Sequence, residues 1–243
     1  RRLTSRTRGW ASVRDPTARM SRRTGNAGPT PYDFRRPIKL SREHMRNLQM
    51  SFETYARSCG TLLTTRLRAV SQVSLLAIEQ LTYEEYQTQL NNPTVLAVVT
   101  LEPLTGSILF EVPLSTAMAS IDHLLGGPGG AQPERPLTDL EMPLLRGLIE
   151  KMLGELAYGL EAMVAVQPKL GAIEYNPQFV RTIAPGDAVV VTSFEIRVGS
   201  EESIASICIP FASILPVLEK PTEDVQLTSE ERMALVRAQS NRT

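Results

Sequence analysis

Apolar residues recur at steps of three and four through Met45, Leu48, Phe52, Tyr55, Cys59, Leu63 and Leu67, the spacing of one buried helix face, and Ser41 ahead of them is a suitable N-cap. The period then shortens. Val73 to Ile78, Val95 to Leu101 and Ile108 to Val112 are β-prone runs, and Pro103-Leu104-Thr105-Gly106 between the last two predicts a hairpin turn. Pro113 opens a short helix from Leu114 to Leu125. Thr138-Asp139-Leu140-Glu141 is a capping box at the head of a second long helix, with Met142, Leu145, Ile149, Met152, Leu156 and Leu160 on its apolar face. Strands are predicted at about Val166 to Glu174, Val189 to Val198 and Ser203 to Ile209, the last pair turning through Gly199-Ser200. Pro210 opens a final short helix, Phe211 to Leu218.

The order of elements therefore occurs twice, and in one register. Ser41 and Thr138 are 97 residues apart, as are Pro113 and Pro210, and the same shift carries Met45 to Met142, Leu48 to Leu145, Glu53 to Glu150 and Tyr55 to Met152. Cap, helix face and post-strand proline align together, which implies an internal duplication. The predicted fold is a pseudo-twofold α/β domain over residues 37–220, its sheet covered by helices.

The flanks have another character. Residues 1–31 are rich in Arg, Ser, Thr, Gly and Pro and offer little apolar surface against the entropy of ordering, so 1–36 is expected to be a disordered Arg-rich arm and lead-in. Residues 221–243 read as a polar linker with one marginal helix near Ser229 to Arg232. The chain's 26 basic and 26 acidic residues cancel, yet residues 1–36 hold ten Arg against Asp15 and Asp33, a net +8 that leaves −8 for the rest. Such an arm suits anionic partners, although a solvated tail is the simpler account, and no nucleic-acid partner is expected. Cys59 and Cys208 are far apart with no CxxC or accompanying His spacing, so neither a disulfide framework nor a zinc site is indicated, and a reducing cytosol fits best. No apolar run is long enough to span a bilayer. No cofactor is expected.

Leu124-Leu125-Gly126-Gly127-Pro128-Gly129-Gly130 stands out between the second predicted helix and the third. Side chains give way there to bare backbone that tolerates φ > 0 and lets another chain approach closely. A docking loop and a plain connector are both consistent with these residues. A phosphate cradle is not, because the loop follows the partially negative C-terminal end of a helix and no Gly-Lys-Ser/Thr comes after it.

Several segments together resemble the flagellar motor switch protein FliM family over its middle domain. They are Tyr32-Asp33-Phe34 with Arg35-Arg36-Pro37, Phe52-Glu53-Thr54-Tyr55-Ala56-Arg57, Leu124-Leu125-Gly126-Gly127-Pro128-Gly129 and Leu137-Thr138-Asp139-Leu140-Glu141. Ile183-Ala184-Pro185-Gly186-Asp187 with the following strand, and Ile207-Cys208-Ile209-Pro210-Phe211-Ala212-Ser213-Ile214, complete the set, in order over roughly residues 32–220. The resemblance implies a pseudo-symmetric α/β/α sandwich of the CheC-phosphatase type. It implies a structural role in the rotor's cytoplasmic C-ring at the flagellar basal body, on the inner face of the cell membrane, controlling rotation in chemotaxis. Gly126, Gly127, Pro128 and Gly129 match the loop that contacts the middle domain of FliG, and Asp122 matches the family's usual Asp one turn earlier. Neighbouring copies are expected to pack side by side. The family's acidic-apolar segment for a phosphorylated response regulator is not seen in residues 1–31. Nor do residues 221–243 show the β-rich C-terminal domain through which such proteins make further contacts, including those with the other C-ring switch protein.

The enzyme alternative is a CheC-type phosphatase of a phosphorylated chemotaxis regulator. Those relatives carry a Glu and, three residues on, a water-orienting Asn on each long helix; the matching positions are Glu53 with Ala56 and Glu150 with Leu153. An apolar side chain positions no nucleophile, so no catalytic residue is expected. His44 and His123 have no evident partner, and the pairs Glu84-Glu85 and Glu201-Glu202 read as solvated residues beside turns. A bulky residue at Gly127 or Gly129 adds a Cβ where close approach is needed and can forbid the required φ; if the loop is exposed, partner binding should weaken with little loss of stability, whereas a plain connector predicts a slight cost in folding and unchanged binding.

Overall fold

In a computed structural model of the chain, the residues described are 40–219, apart from 131 and 134. The expected Arg-rich arm, the lead-in Tyr32 to Pro37 and the linker over 221–243 lie outside them. Helix α1 spans Arg42–Leu67, and the Ser41 hydroxyl accepts the His44 N–H at 3.1 Å, as its capping role requires. Leu48, Phe52, Tyr55, Cys59, Leu63 and Leu67 are buried on the expected face, while Met45 is half-buried near the open end. Strand β1 (Ser71–Thr82) follows and leads into α2 (Tyr83–Gln89), a helix that the apolar spacing does not reveal. Its signal is a capping box. The Glu85 carboxylate accepts the Thr82 N–H at 2.8 Å, and Thr82 accepts the Glu85 N–H at 3.2 Å, so Glu85, exposed as expected, is also a cap partner.

Strands β2 (Thr94–Glu102) and β3 (Ser107–Pro113) form the first hairpin, with Gly106 at φ 87° in its turn. Helix α3 (Leu114–Leu124) starts after Pro113 as expected. Regular helix α4 runs from Glu141 to Leu160, two residues later than the capping box alone suggests, although Met142 N–H already bonds Thr138 C=O at 3.0 Å. Strand β4 (Gln167–Glu174), a 3-10 turn at Pro177–Phe179, β5 (Ala188–Val198), β6 (Glu201–Pro210) and α5 (Phe211–Leu218) complete the order.

The strands make one six-stranded antiparallel sheet in the order β1-β5-β6-β3-β2-β4. Exchanging each strand for its counterpart in the other half (β1 for β4, β2 for β5, β3 for β6) reproduces this order read backwards. The pseudo-twofold axis therefore passes between β3 and β6, where Leu109 faces Cys208 and Phe110 faces Ile207. Each half gives its first strand to the other, since β1 pairs with β5 and β4 with β2. The duplication is thus interlocked. The contacts repeat as well. Thr116 on α3 hydrogen-bonds Ser203 at the start of β6, and their counterparts 97 residues away, Ser213 on α5 and Gly106, also meet.

Alternation along the strands divides the core. Val95, Ala97, Val99 and Leu101 of β2, with Ile108, Phe110 and Val112 of β3, lie on one face, under α1, α3, α4 and α5. Phe52 and Tyr55 meet Phe194 edge-on there, at ring separations of 5.9 and 5.2 Å. Gly159 lets α4 come against Ser51 and Tyr55 of α1, where a Cβ would lie 2.8 Å from the Ser51 carbonyl oxygen. On the other face Leu96, Leu109, Val189, Val191 and Cys208 are covered by Tyr83 and Tyr86 of α2 and by Val180 and Ile183. Among the described residues the α/β/α sandwich is therefore lopsided, four helices on one side against a single short helix and a loop on the other.

Candidate functional site

The glycine loop begins as a helix terminus. Gly126, at φ 91°, follows the last residues of α3; its N–H bonds His123 C=O at 3.0 Å, and Gly127 N–H bonds Asp122 C=O at 2.8 Å. This is the double bond of a Schellman motif, which satisfies carbonyls that α3 would otherwise leave open and requires a residue tolerant of the left-handed region at Gly126.

Past that cap the loop folds back on its own helix. The Asp122 carboxylate accepts the Gly129 N–H at 2.7 Å, and a Cβ on Gly127 would overlap that carboxylate. Gly129 is buried at φ 70°, and a Cβ there would overlap His123 Nε2. Gly127 and Gly129 therefore have internal reasons to be glycine, and a bulky residue at either disturbs the loop itself. The condition of an exposed loop, on which little loss of stability is expected, does not hold at these two glycines. Leu125, 68% exposed, Gly126, Pro128 and Gly130 are what the loop offers outward.

The structure thus brings Asp122, Gly127 and Gly129 together as one unit and places Gly126 and Pro128 on its rim. It adds two residues. His123 lies against Gly129 and near the β5–β6 turn, where Gly199 has φ 60° and a Cβ would lie 3.2 Å from His123 Nε2. Nothing in the spacing of the sequence links position 123 to position 199. Beyond the loop, Glu141 secures the start of α4. It accepts two bonds from Arg135, at 2.8 and 2.7 Å, and the Thr138 N–H at 2.7 Å; the Arg135 hydrogen bonds, then that N–H, hold its carboxyl down to about 2.

The positions matching the phosphatase pairs are of a different kind. Ala56 and Leu153 are core residues, 3% and 2% exposed, while Glu150 is exposed and Glu53 accepts a bond from Gln49 at 2.8 Å. No water can be oriented from a methyl group sealed between helices and sheet. Both cysteine thiols are buried and in no disulfide, and burial pushes the Cys59 thiol up to about 12 against the pull of its hydrogen bond with Tyr55. One buried carboxylate escapes the sequence reading altogether. Glu111 of β3, 4% exposed, accepts bonds from Thr94 at 2.7 Å and Ser206 at 3.0 Å, and the Tyr86 hydroxyl shares a bond with Ser206 at 2.9 Å. Burial pushes its carboxyl up to about 7 against the opposing pull of these bonds. Among the described residues no cluster of His, Cys, Asp and Glu has the form of a metal site, and no helix is long and apolar enough to cross a membrane.

Comparison with known proteins agrees with this geometry. A family model described as flagellar motor switch protein FliM matches residues 41–225. FliM of Treponema pallidum is 39% identical over 84% of this chain and 59% of its own length, and that of Thermotoga maritima 34% identical over 87% and 66%. The chain thus spans about three-fifths of the relatives it matches. Among solved structures, an H. pylori FliG–FliM complex superposes with a TM-score of 0.71 at 28% identity, covering 74% of this chain and all of that one. An H. pylori FliM–SpeE complex gives 0.71 at 26% identity, covering 78% of this chain and all of that one.

Proposed function

The chain belongs to the flagellar motor switch protein FliM family, and from that premise we propose that it is a non-enzymatic building block of the rotor's switch that binds FliG through the loop at Gly126 to Gly129. The observation that carries this reading is the loop's construction. Asp122 and His123 hold its glycines from within, so the outward edge of Leu125, Gly126 and Pro128 is presented in a fixed shape, and a partner need not order it. The H. pylori relative crystallised with FliG supports the choice of partner. Side-by-side packing of copies into a ring, on the cytoplasmic side of the basal body, completes the proposal and would make changes in rotation a matter of domain orientation rather than chemistry. We assign residues 37–220 to this middle domain, 1–36 to an arm and 221–243 to a linker.

The phosphatase alternative is disfavoured by Ala56 and Leu153, whose side chains are packed where a water-orienting amide would have to reach solvent.

Calorimetric titration with purified FliG tests the proposal. Leu125→Arg and Pro128→Arg change exposed side chains, so melting should be unaltered while affinity falls by about tenfold or more. Full affinity in both variants would remove the loop from the interface. Turnover of a phosphorylated regulator by the native chain, above its spontaneous decay, would falsify the non-enzymatic assignment.

A further inference from the structure

We propose that His123 and Asp122 are positioning residues for the glycine loop, and that the His123 ring couples the loop's shape to the β5–β6 turn of the opposite half. The proposal rests on the loop being the FliG contact, but its physical content does not need FliG to be tested.

Three observations carry it. The Asp122 carboxylate takes the Gly129 N–H at 2.7 Å and occupies the space a Cβ on Gly127 would need, so one side chain fixes two points of the loop. The His123 ring stands between two glycines distant in sequence. It fills the space of a Cβ at Gly129, and its Nε2 is 3.2 Å from where a Cβ on Gly199 would be. That Nε2 is buried and has no hydrogen-bond partner among the described residues. The ring is therefore held by shape, as a wedge between two backbones. Gly199 in turn donates its N–H to Val70 C=O at 3.0 Å, anchoring the turn to the junction of α1 and β1. A push on that turn has a rigid path to Gly129: backbone, imidazole, backbone. A contact made at residues 70 or 199–200 would then change the loop that another partner reads, with no chemistry between them.

The test uses the intact chain and amide spectra. Gly199→Ala puts a methyl against Nε2; it should shift the Gly127 and Gly129 amides and weaken FliG binding by about tenfold, the scale of losing one preorganised loop. Gly106→Ala is the control, because Gly106 also has positive φ, at 87°, but lies against Ser213 in the other hairpin. It carries the same kind of backbone strain and should leave the loop amides in place. In a His123→Ala background the effect of Gly199→Ala on the loop should largely vanish. Should removal of the ring unfold the chain, His123→Gln keeps the bulk, and Asp122→Asn independently should release the Gly129 amide, seen as faster exchange. The proposal is overturned if Gly199→Ala leaves the loop amides unmoved, or moves them equally with and without the ring. If the amides respond as expected and FliG affinity does not, the wedge stands and the FliG assignment of the loop falls.

Discussion

In the first half, α3 runs into a Schellman cap and a loop folded back on Asp122 and His123; in the second, α5 ends at Leu218, and the residues 97 positions beyond Gly126 to Gly129 are Glu223, Asp224, Val225 and Gln226. The first hairpin turns through four residues, the second through Gly199 and Ser200. On the second face of the sheet, α2 in one half is answered by the loop around Val180 and Ile183 in the other, and buried Glu111 by buried Cys208. The helix-covered face, by contrast, keeps both copies nearly alike. Leu48 and Leu145 are each buried, and Met45 and Met142 are each half-buried at the start of their helices. The shared face supplies stability and the copies diverge at the rim and beneath α2. That is where a duplicated scaffold can gain a binding loop without disturbing its core.

The equivalence of the shared face is the easiest part of the comparison to break. Leu48 and Leu145 occupy matching sites at 0% and 2% exposure, so truncating either to Ala should cost roughly 2 to 5 kcal/mol, by lost transfer energy and residual cavity. Denaturant unfolding of the two variants measures it. Equal losses support the twofold reading. A loss in one alone would mean that a single helix carries the fold.

The divergent pair, Glu111 and Cys208, gives the next largest effect. Glu111's pKa is raised from the ordinary 4.5 to about 7, so the folded state holds its proton more tightly than the unfolded one. Its favourable contribution is complete below about pH 4.5 and is lost as pH rises through about 7, with an upper scale of roughly 3 kcal/mol. Glu111→Gln should flatten that part of the stability curve, as measured by unfolding at pH 5 to 8. Tyr83 and Tyr86 from α2 and Cys208 from β6 are the titratable groups packed against this site, and burial raises all three, so they remain neutral across that range. An unchanged slope would show that the carboxylate exchanges its desolvation for contacts elsewhere.

How much of this was legible without coordinates follows from range. The long helices, all six strands and the turn at Gly106 come from local patterns, and even the 97-residue register is only a comparison of such patterns. The whole of α2 is the weaker signal. In α2 the periodicity is carried by two tyrosines among Glu, Gln and Thr, and the deciding feature is the Thr82–Glu85 box. The loop was legible as glycine, and Asp122 as its neighbour, but not the direction of cause. Spacing suggests that glycine invites a partner, whereas at Gly127 and Gly129 the first demand comes from Asp122 and His123. The Glu111 network depends on β3 lying beside β6, and the approach of His123 to Gly199 on α3 lying near the β5–β6 turn, contacts between the two halves that no local pattern encodes.

The smallest expected effects are at the two caps that mark the duplication. Ser41 and Thr138 are counterparts, but the third residue after Ser41 is His44, which returns no acceptor, whereas after Thr138 it is Glu141, whose carboxylate takes the Thr138 N–H at 2.7 Å. Ser41→Ala removes the side-chain acceptor at the head of α1 and should cost about 1 kcal/mol. Thr138→Ala should cost less, because its own contact with the Glu141 N–H is long, at 3.4 Å, and the Glu141 carboxylate still holds the backbone of residue 138 and Arg135. The two starts should also differ in acid. The Glu141 pKa is depressed from 4.5 to about 2, so its support of α4 is present above about pH 4.5 and is lost as pH falls through about 2. Amide protection in the first turn of each helix, taken relative to the intrinsic exchange rate at each pH and followed from pH 6 downward, should therefore fall in α4 of the native chain and be low at every pH in Glu141→Ala. The first turn of α1, whose cap is a hydroxyl with no charge to lose, should keep its protection over the same range. Equal acid sensitivity at both helix starts would mean that the carboxylate adds nothing to the box, and the two caps would then be equivalent in energy as well as in position.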